Sequence, residues 1–212
     1  LEATLRQFDE VDNFGSLIRP ALTDVTEVLE RLHAADVSGQ LFLGQTHQKV
    51  IRLLKQADYL SPRYTVVVAD PPYMTSGGMN SDLKEWSDKN YSNSKSDLYS
   101  MFIERCTYLV SESGYIGMVT MQSWMYLRTF YSLRDFVLKN TSIHSLLHLG
   151  ANAFPEIKGE RVQVSAFIIE KSCASDDHTT TFFRLIAGNS SEKEQHFLRN
   201  ENRYTPINQQ NF

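Results

Sequence analysis

The chain has 212 residues, 42% of them hydrophobic and 22% charged, with a formal net charge of −4. That length and apolar content suit one globular domain or slightly more, and they exclude a disordered or fibrous chain. The acidic balance argues against a module that grips nucleic acid by charge alone, because phosphate contacts draw on Lys and Arg.

Two cysteines, Cys106 and Cys173, make no disulfide framework, so a reducing cytoplasm is the expected compartment. No stretch reads as a secretory or membrane-spanning segment. The chain lacks an initiator Met and stops at Tyr204–Phe212 without a capping element, so it reads as part of a longer protein.

Residues 1–60 read as a helical segment packed on a sheet. Phe8, Phe14, Leu17 and Ile18 are candidate anchors. A helix is predicted over Pro20–Ala35, with Val25, Val28, Leu29 and Leu32 at i, i+3, i+4, i+7. A second is predicted over Gln45–Tyr59, with Val50, Leu53, Leu54 and Ala57 as its stripe. Tyr64–Ala69 follows, an apolar and β-branched run without alternation. It predicts a strand buried on both faces in the middle of a parallel sheet. Asp70-Pro71-Pro72-Tyr73 ends it, since proline fixes φ and lacks an N–H.

Met74–Lys95 reads as a long loop, either a lid or a connector. Ser96 or Asp97 caps a helix to about Val110, on which Leu98, Met101, Phe102, Arg105 and Leu109 share a face. By pattern alone Phe102 is a core residue. A strand is expected over Tyr115–Thr120, with Gly117 marking a close backbone approach. Next come a helix from Ser123 to about Leu138 and a strand over Ile143–Leu149. His144 and His148 share a face there, but without Cys or carboxylate partners they make no metal site. Gly150–Gly159 is a loop holding Phe154. A strand over Arg161–Glu170, with Val162, Val164, Ala166 and Ile168 alternating, closes an antiparallel hairpin. Phe154 is either a staple into the core or a ligand-facing ring. Lys158 and Arg161 are either phosphate contacts or solvated side chains. A strand over Thr180–Ile186 and a polar helix near Ser191–Arg199 precede the end.

In open α/β sheets ligands bind past the carboxyl ends of strands, which is where Asp70–Tyr73 stands. The chemistry suits methylation of an exocyclic amino group. Such a nitrogen is a poor nucleophile because its lone pair is delocalised into the ring. The Asp70 carboxylate and the Pro71 carbonyl can each accept one of its N–H bonds, the charged acceptor making the stronger bond. Tyr73 can stack on the ring.

Asp-Pro-Pro-Tyr resembles the catalytic motif of the amino-methyltransferases that use S-adenosylmethionine. The longer text, Asp70-Pro-Pro-Tyr-Met-Thr-Ser-Gly-Gly-Met-Asn80, Ser94-Lys-Ser-Asp-Leu-Tyr-Ser-Met-Phe-Ile-Glu104, Met118–Met125 and His148–Gly159, resembles the large adenine-specific DNA methyltransferases of BREX phage-defence systems. Related fused restriction-modification enzymes share much of it. The resemblance covers about residues 10 to 190. It implies S-adenosylmethionine as cofactor, no metal, double-stranded DNA as partner through the full-length protein, and other defence-system proteins as further partners. It also implies that Asp70, Pro71, Pro72 and Tyr73 are catalytic, that Tyr73 and Phe154 sandwich a flipped base, and that Asp70 and Phe102 border the cofactor. Most such enzymes have Asn where this chain has Asp70.

A Gly-rich cofactor turn after a first strand is expected before Asp70, and none is found. The implied fold is therefore a partial Rossmann-like class I methyltransferase domain of α/β type, the later strands of a mostly parallel sheet ending in an antiparallel hairpin, with an N-terminal helical segment. Its expected divisions are 1–60, 61–187 for the catalytic-motif half, and 188–212 as the start of a following domain. Two other readings stay open: a protein glutamine methyltransferase, which uses a similar tetrapeptide, and a non-catalytic binding module.

Overall fold

Among the described residues the first 63 form helices joined by turns and a strap, and a sheet organises the rest. The structure is a computed structural model and describes residues 1–35, 41–156 and 162–209. Lys158 and Arg161 therefore lie outside the described residues. The chain divides into units 1–63 and 64–212.

The first unit holds α1 (Glu2–Gln7), α2 (Val11–Phe14), α3 (Thr26–Ala34) and α4 (Leu41–Leu60). Phe8, Leu17, Ile18, Val25, Ile51, Leu54 and Ala57 are buried. The helix expected from Pro20 begins only at Thr26. Residues 18–22 instead run as a strap tied to α1. Leu22 N–H donates to Thr4 Oγ1 at 2.9 Å and Ala21 N–H to Gln7 Oε1 at 2.7 Å. Side chains hold the strap's backbone groups, so no helix is needed to satisfy them.

The second unit is a sheet in the order β1-β2-β4-β3-β5-β6. Its strands are β1 (Tyr64–Ala69), β2 (Val110–Met121), β3 (Ser142–Gly150), β4 (Val164–Glu170), β5 (Thr179–Arg184) and β6 (Arg203–Asn208). β1 runs parallel to β2, and β4 is antiparallel to both β2 and β3. The strand–loop–strand segment is thus the antiparallel hairpin expected. Residues 188–212, expected to open a following domain, supply α8 (Ser190–Leu198) and the edge strand β6.

Between β1 and β2 lie α5 (Ser81–Asn90) and α6 (Leu98–Leu109), and α7 (Tyr131–Asn140) leads into β3. The core joins Ile103 and Cys106 of α6, Leu133 and Val137 of α7, and Ile116, Ile143, Phe167 and Ile169 of the sheet. Burial pushes the Cys106 thiol up to about 12.

Several expectations change. Within the described sheet β1 lies at the edge, with Val66 and Val68 57% and 80% exposed, where a central position was expected. An apolar run reads the same whether a neighbour strand is present or not. The stretch expected as loop contains α5, started by Asn80, whose side chain accepts from Leu83 N–H at 2.8 Å. The helix expected from Ser123 starts at Tyr131. Two short 3-10 turns precede it, separated by Leu127 in an extended conformation. β4 buries Val164 of the alternating set expected, but also Phe167 and Ile169 on the opposite face, and exposes Ile168. α6 buries Tyr99, Ile103 and Cys106, leaving Phe102 half-buried against the core.

The close approach predicted at Gly117 lies at Gly114. A Cβ there would stand 2.7 Å from the Thr65 carbonyl oxygen, whereas at Gly117 it would meet only Val68 Cγ2 at 3.9 Å. Among the described residues no helix is long and apolar enough to cross a membrane, and no group of three His, Cys, Asp or Glu side chains is placed to hold a metal.

Candidate active site

Strand β1 pairs with β2 up to Ala69↔Met118 and then stops. Asp70 follows with an exposed side chain, and Pro71 is buried. Among the described residues no N–H donates to the Pro71 carbonyl. A bare carbonyl thus stands beside an open carboxylate, as the two prolines dictate.

The backbone after the tetrapeptide is zipped to the start of α6. Met74 N–H donates to Asp97 Oδ1 at 3.0 Å, Leu98 N–H to Met74 O at 3.0 Å, and Ser76 N–H to Ser96 O at 2.9 Å. Asp97 also caps α6, forming a capping box with Ser100. It is 5% exposed, and burial raises its carboxyl above the ordinary range against the pull of those N–H bonds. One side chain therefore both starts a helix and holds the tetrapeptide.

Loss of that cap has a measurable consequence. Asp97→Ala in the full-length protein is expected to cost about 2 kcal/mol of stability, an N-cap plus one further bond to a charged acceptor. Urea unfolding checks it. Asp97→Asn, which still accepts, is expected to recover most of the loss.

Tyr73 stands edge-on to Tyr99, with ring centroids 5.9 Å apart and planes at 86°, and Tyr99 lies 5.6 Å from Phe130. Tyr73 OH reaches Asp70 Oδ1 at a long 3.5 Å. Desolvation first, and then the Asp70 charge, push its hydroxyl up to about 12, so it stays a neutral phenol. Tyr99 OH pairs with Ser123 Oγ at 2.9 Å. Ser123 follows the end of β2, so the ends of β1 and β2 are joined through the first turn of α6.

On the far side, Gln122 Nε2 donates to Tyr126 OH at 2.9 Å and to Gln163 Oε1 at 2.5 Å, and its Oε1 pairs with His148 Nε2 at 2.6 Å. His144 pairs instead with Glu170, at 2.7 Å. The two histidines thus serve different neighbourhoods.

Phe154 lies in the turn after β3 and is 37% exposed, the same exposure as Tyr73. The two rings are not paired with each other. Tyr99, Ser123 and Asp97 are the site residues whose roles the sequence concealed. The capping pattern at Asp97 was visible, but its second bond, to Met74, depends on a contact between segments 23 residues apart.

The family model described as Eco57I restriction-modification methylase matches residues 28–154, more than half of the chain. The chain belongs to this methylase family. Within the family, it is 38% identical over its whole length to the adenine-specific methyltransferase BrxX of Escherichia coli O9:H4 (strain HS). Over 92% of its length it is 34% identical to the adenine-specific methyltransferase PglX of Lacticaseibacillus casei (strain Zhang). It spans 18% and 17% of those relatives. The fold agrees with this methylase membership. A solved type I restriction-modification system aligns with a TM-score of 0.50 at 15% identity, over 66% of this chain and 30% of that one. The architecture is thus the α/β fold expected of a methylase, but the sheet is mixed and not mostly parallel: β3 pairs parallel with β5 and β5 antiparallel with β6.

Proposed function

We propose that this methylase chain carries the methyl-accepting half of an adenine-N6 DNA methyltransferase of a phage-defence or restriction-modification system. The full-length protein would act on double-stranded DNA in the cytoplasm. The observation that carries the reading is the end of β1. There an open carboxylate and an unbonded carbonyl stand side by side, next to a tyrosine braced from behind.

An adenine extruded from the duplex offers its exocyclic amine to these two acceptors. Asp70 takes one N–H and the Pro71 carbonyl the other, which localises the lone pair on nitrogen. No base is needed beforehand, since the amine becomes acidic only once it carries the methyl group. Rate enhancement comes from position and fixed electrostatics. Tyr73 stacks on one face of the base and Phe154 on the other. Lys158 and Arg161 are assigned to DNA phosphates.

S-adenosylmethionine, when bound, supplies an electrophilic methyl group. The residues assigned to one side of it are Asp70, exposed at the strand end, and Phe102 of α6, whose half-buried ring packs against the core. Among the described residues no strand precedes β1, so no Gly-rich turn between a strand and a helix stands before Asp70. The free edge of β1, with Val66 and Val68 exposed, is a place for a further strand to pair. We assign that strand and the cofactor turn to the rest of the protein.

Stacking on an aromatic is worth about 1–3 kcal/mol per base. Tyr73→Ala or Phe154→Ala is therefore expected to weaken capture of the extruded base by roughly 5- to 150-fold, and Tyr73→Phe to have little effect. The emission of 2-aminopurine at the target position of a DNA duplex reads this out in the full-length protein. Unchanged emission in Phe154→Ala would return that ring to a packing role.

A further inference from the structure

Lys193 belongs to the polar helix α8, yet it is only 3% exposed. Its Nζ donates to three backbone carbonyls: Leu149 O, Ala151 O at 2.6 Å and Ile186 O at 3.4 Å. An ammonium has three N–H donors, so this set uses all of them. Buried lysines are rare unless paired. Among the described residues no carboxylate is bonded to this one, and burial draws its pKa downward. Helix stability does not explain the residue either. Lys193 lies in the first turns of α8, where a cation opposes the helix dipole.

What the ammonium holds is the exit of β3. Leu149 and Ala151 flank Gly150, and Phe154 comes three residues after Ala151. The turn is shaped from the other side too. Gly150 has φ +67°, and a Cβ there would meet Ile186 Cβ at 3.3 Å. Asn152 also has a positive φ, 55°. Leu149, Ala153 and Lys193 line a shared cavity of about 200 Å³. The capping box between Asn189 and Glu192 fixes the start of α8, at Ser190, three residues before Lys193. Phe154 itself is 37% exposed, so its own packing does not set its position.

We propose that Lys193 is a positioning residue: its ammonium clamps the turn after β3 and so holds Phe154 where an extruded base is received. This rests on the stacking role given to Phe154 above.

The test uses the full-length protein and a duplex with 2-aminopurine at the target position. Lys193→Met keeps the aliphatic stem and removes the donors. It is expected to weaken base capture roughly 5- to 150-fold, the range of losing one stacking ring, with S-adenosylmethionine affinity unchanged. Lys193→Arg is expected to recover most of the capture. Combining Lys193→Met with Phe154→Ala should weaken capture no further than Phe154→Ala alone, because the two act through one ring.

A folded Lys193→Met protein that captures the base like wild type overturns the proposal, as does full additivity in the double variant. If Phe154→Ala itself captures like wild type, the stacking reading fails and the proposal with it. Should Lys193→Met not fold, Gly150→Ala disturbs the same turn with the lysine in place. It is expected to lower capture non-additively with Phe154→Ala, and unchanged capture in that folded variant overturns the proposal.

Discussion

Asp70→Ala in the full-length protein is expected to slow methyl transfer by about 10²–10³-fold, the range for removing one fixed polar partner of a developing charge. DNA affinity should barely change, because the bond matters chiefly in the transition state. The carboxylate is exposed and its closest described partner is the Tyr73 hydroxyl, at 3.5 Å, so its removal leaves no buried group unsatisfied and folding should be intact. Asp70→Asn still presents an acceptor and is expected to remain active. Single-turnover rates separate these outcomes from binding effects. An Asp70→Ala rate near wild type would remove the carboxylate from the chemistry.

The second large effect concerns residues 1–212 by themselves. Under the proposed function they contribute only Asp70 and Phe102 to the S-adenosylmethionine site. Two charge-assisted hydrogen bonds, to the ribose and to the cofactor's carboxylate, are assigned elsewhere in the protein. At about 1.5–3 kcal/mol each, their absence costs about 3–6 kcal/mol. That weakens binding roughly 10²- to 10⁴-fold, since each 1.4 kcal/mol is tenfold. Calorimetry on the isolated segment should therefore show no measurable binding where the full-length protein binds. Micromolar binding by the segment would show that its own residues complete the cofactor site. The net charge of −4 adds that DNA binding by the segment should be feeble at physiological salt.

What could be read from the sequence was local. The tetrapeptide at the end of β1, a cap at Ser96 or Asp97, which the structure gives to Asp97, and the hairpin of β3 and β4 each follow from a few adjacent residues and stand where they were expected. What could not be read depended on neighbours. Tyr64–Ala69 is a strand, but whether it is central or at an edge is decided by what pairs with it. Helix α5 escaped notice because it buries only Leu83 and Ser87, too little for an apolar stripe; Asn80 as its cap was the available signal. β4 lies between β2 and β3 and buries Val164 on one face and Phe167 and Ile169 on the other, which an alternating pattern alone does not show. In the site, Tyr73 was legible by type and place. Its brace, Tyr99 bonded to Ser123, joins two elements 24 residues apart and leaves no local pattern.

Under the proposed function the end of β1 prepares an adenine amine to accept a methyl group. Full-length protein incubated with duplex DNA and S-adenosylmethionine labelled in its methyl group, followed by nucleoside analysis of the DNA, tests it most directly. The expected result is label in N6-methyladenine, strongly reduced by Asp70→Ala and retained by Asp70→Asn. Label in a cytosine or in a protein glutamine, or label in adenine that Asp70→Ala leaves untouched, would contradict it.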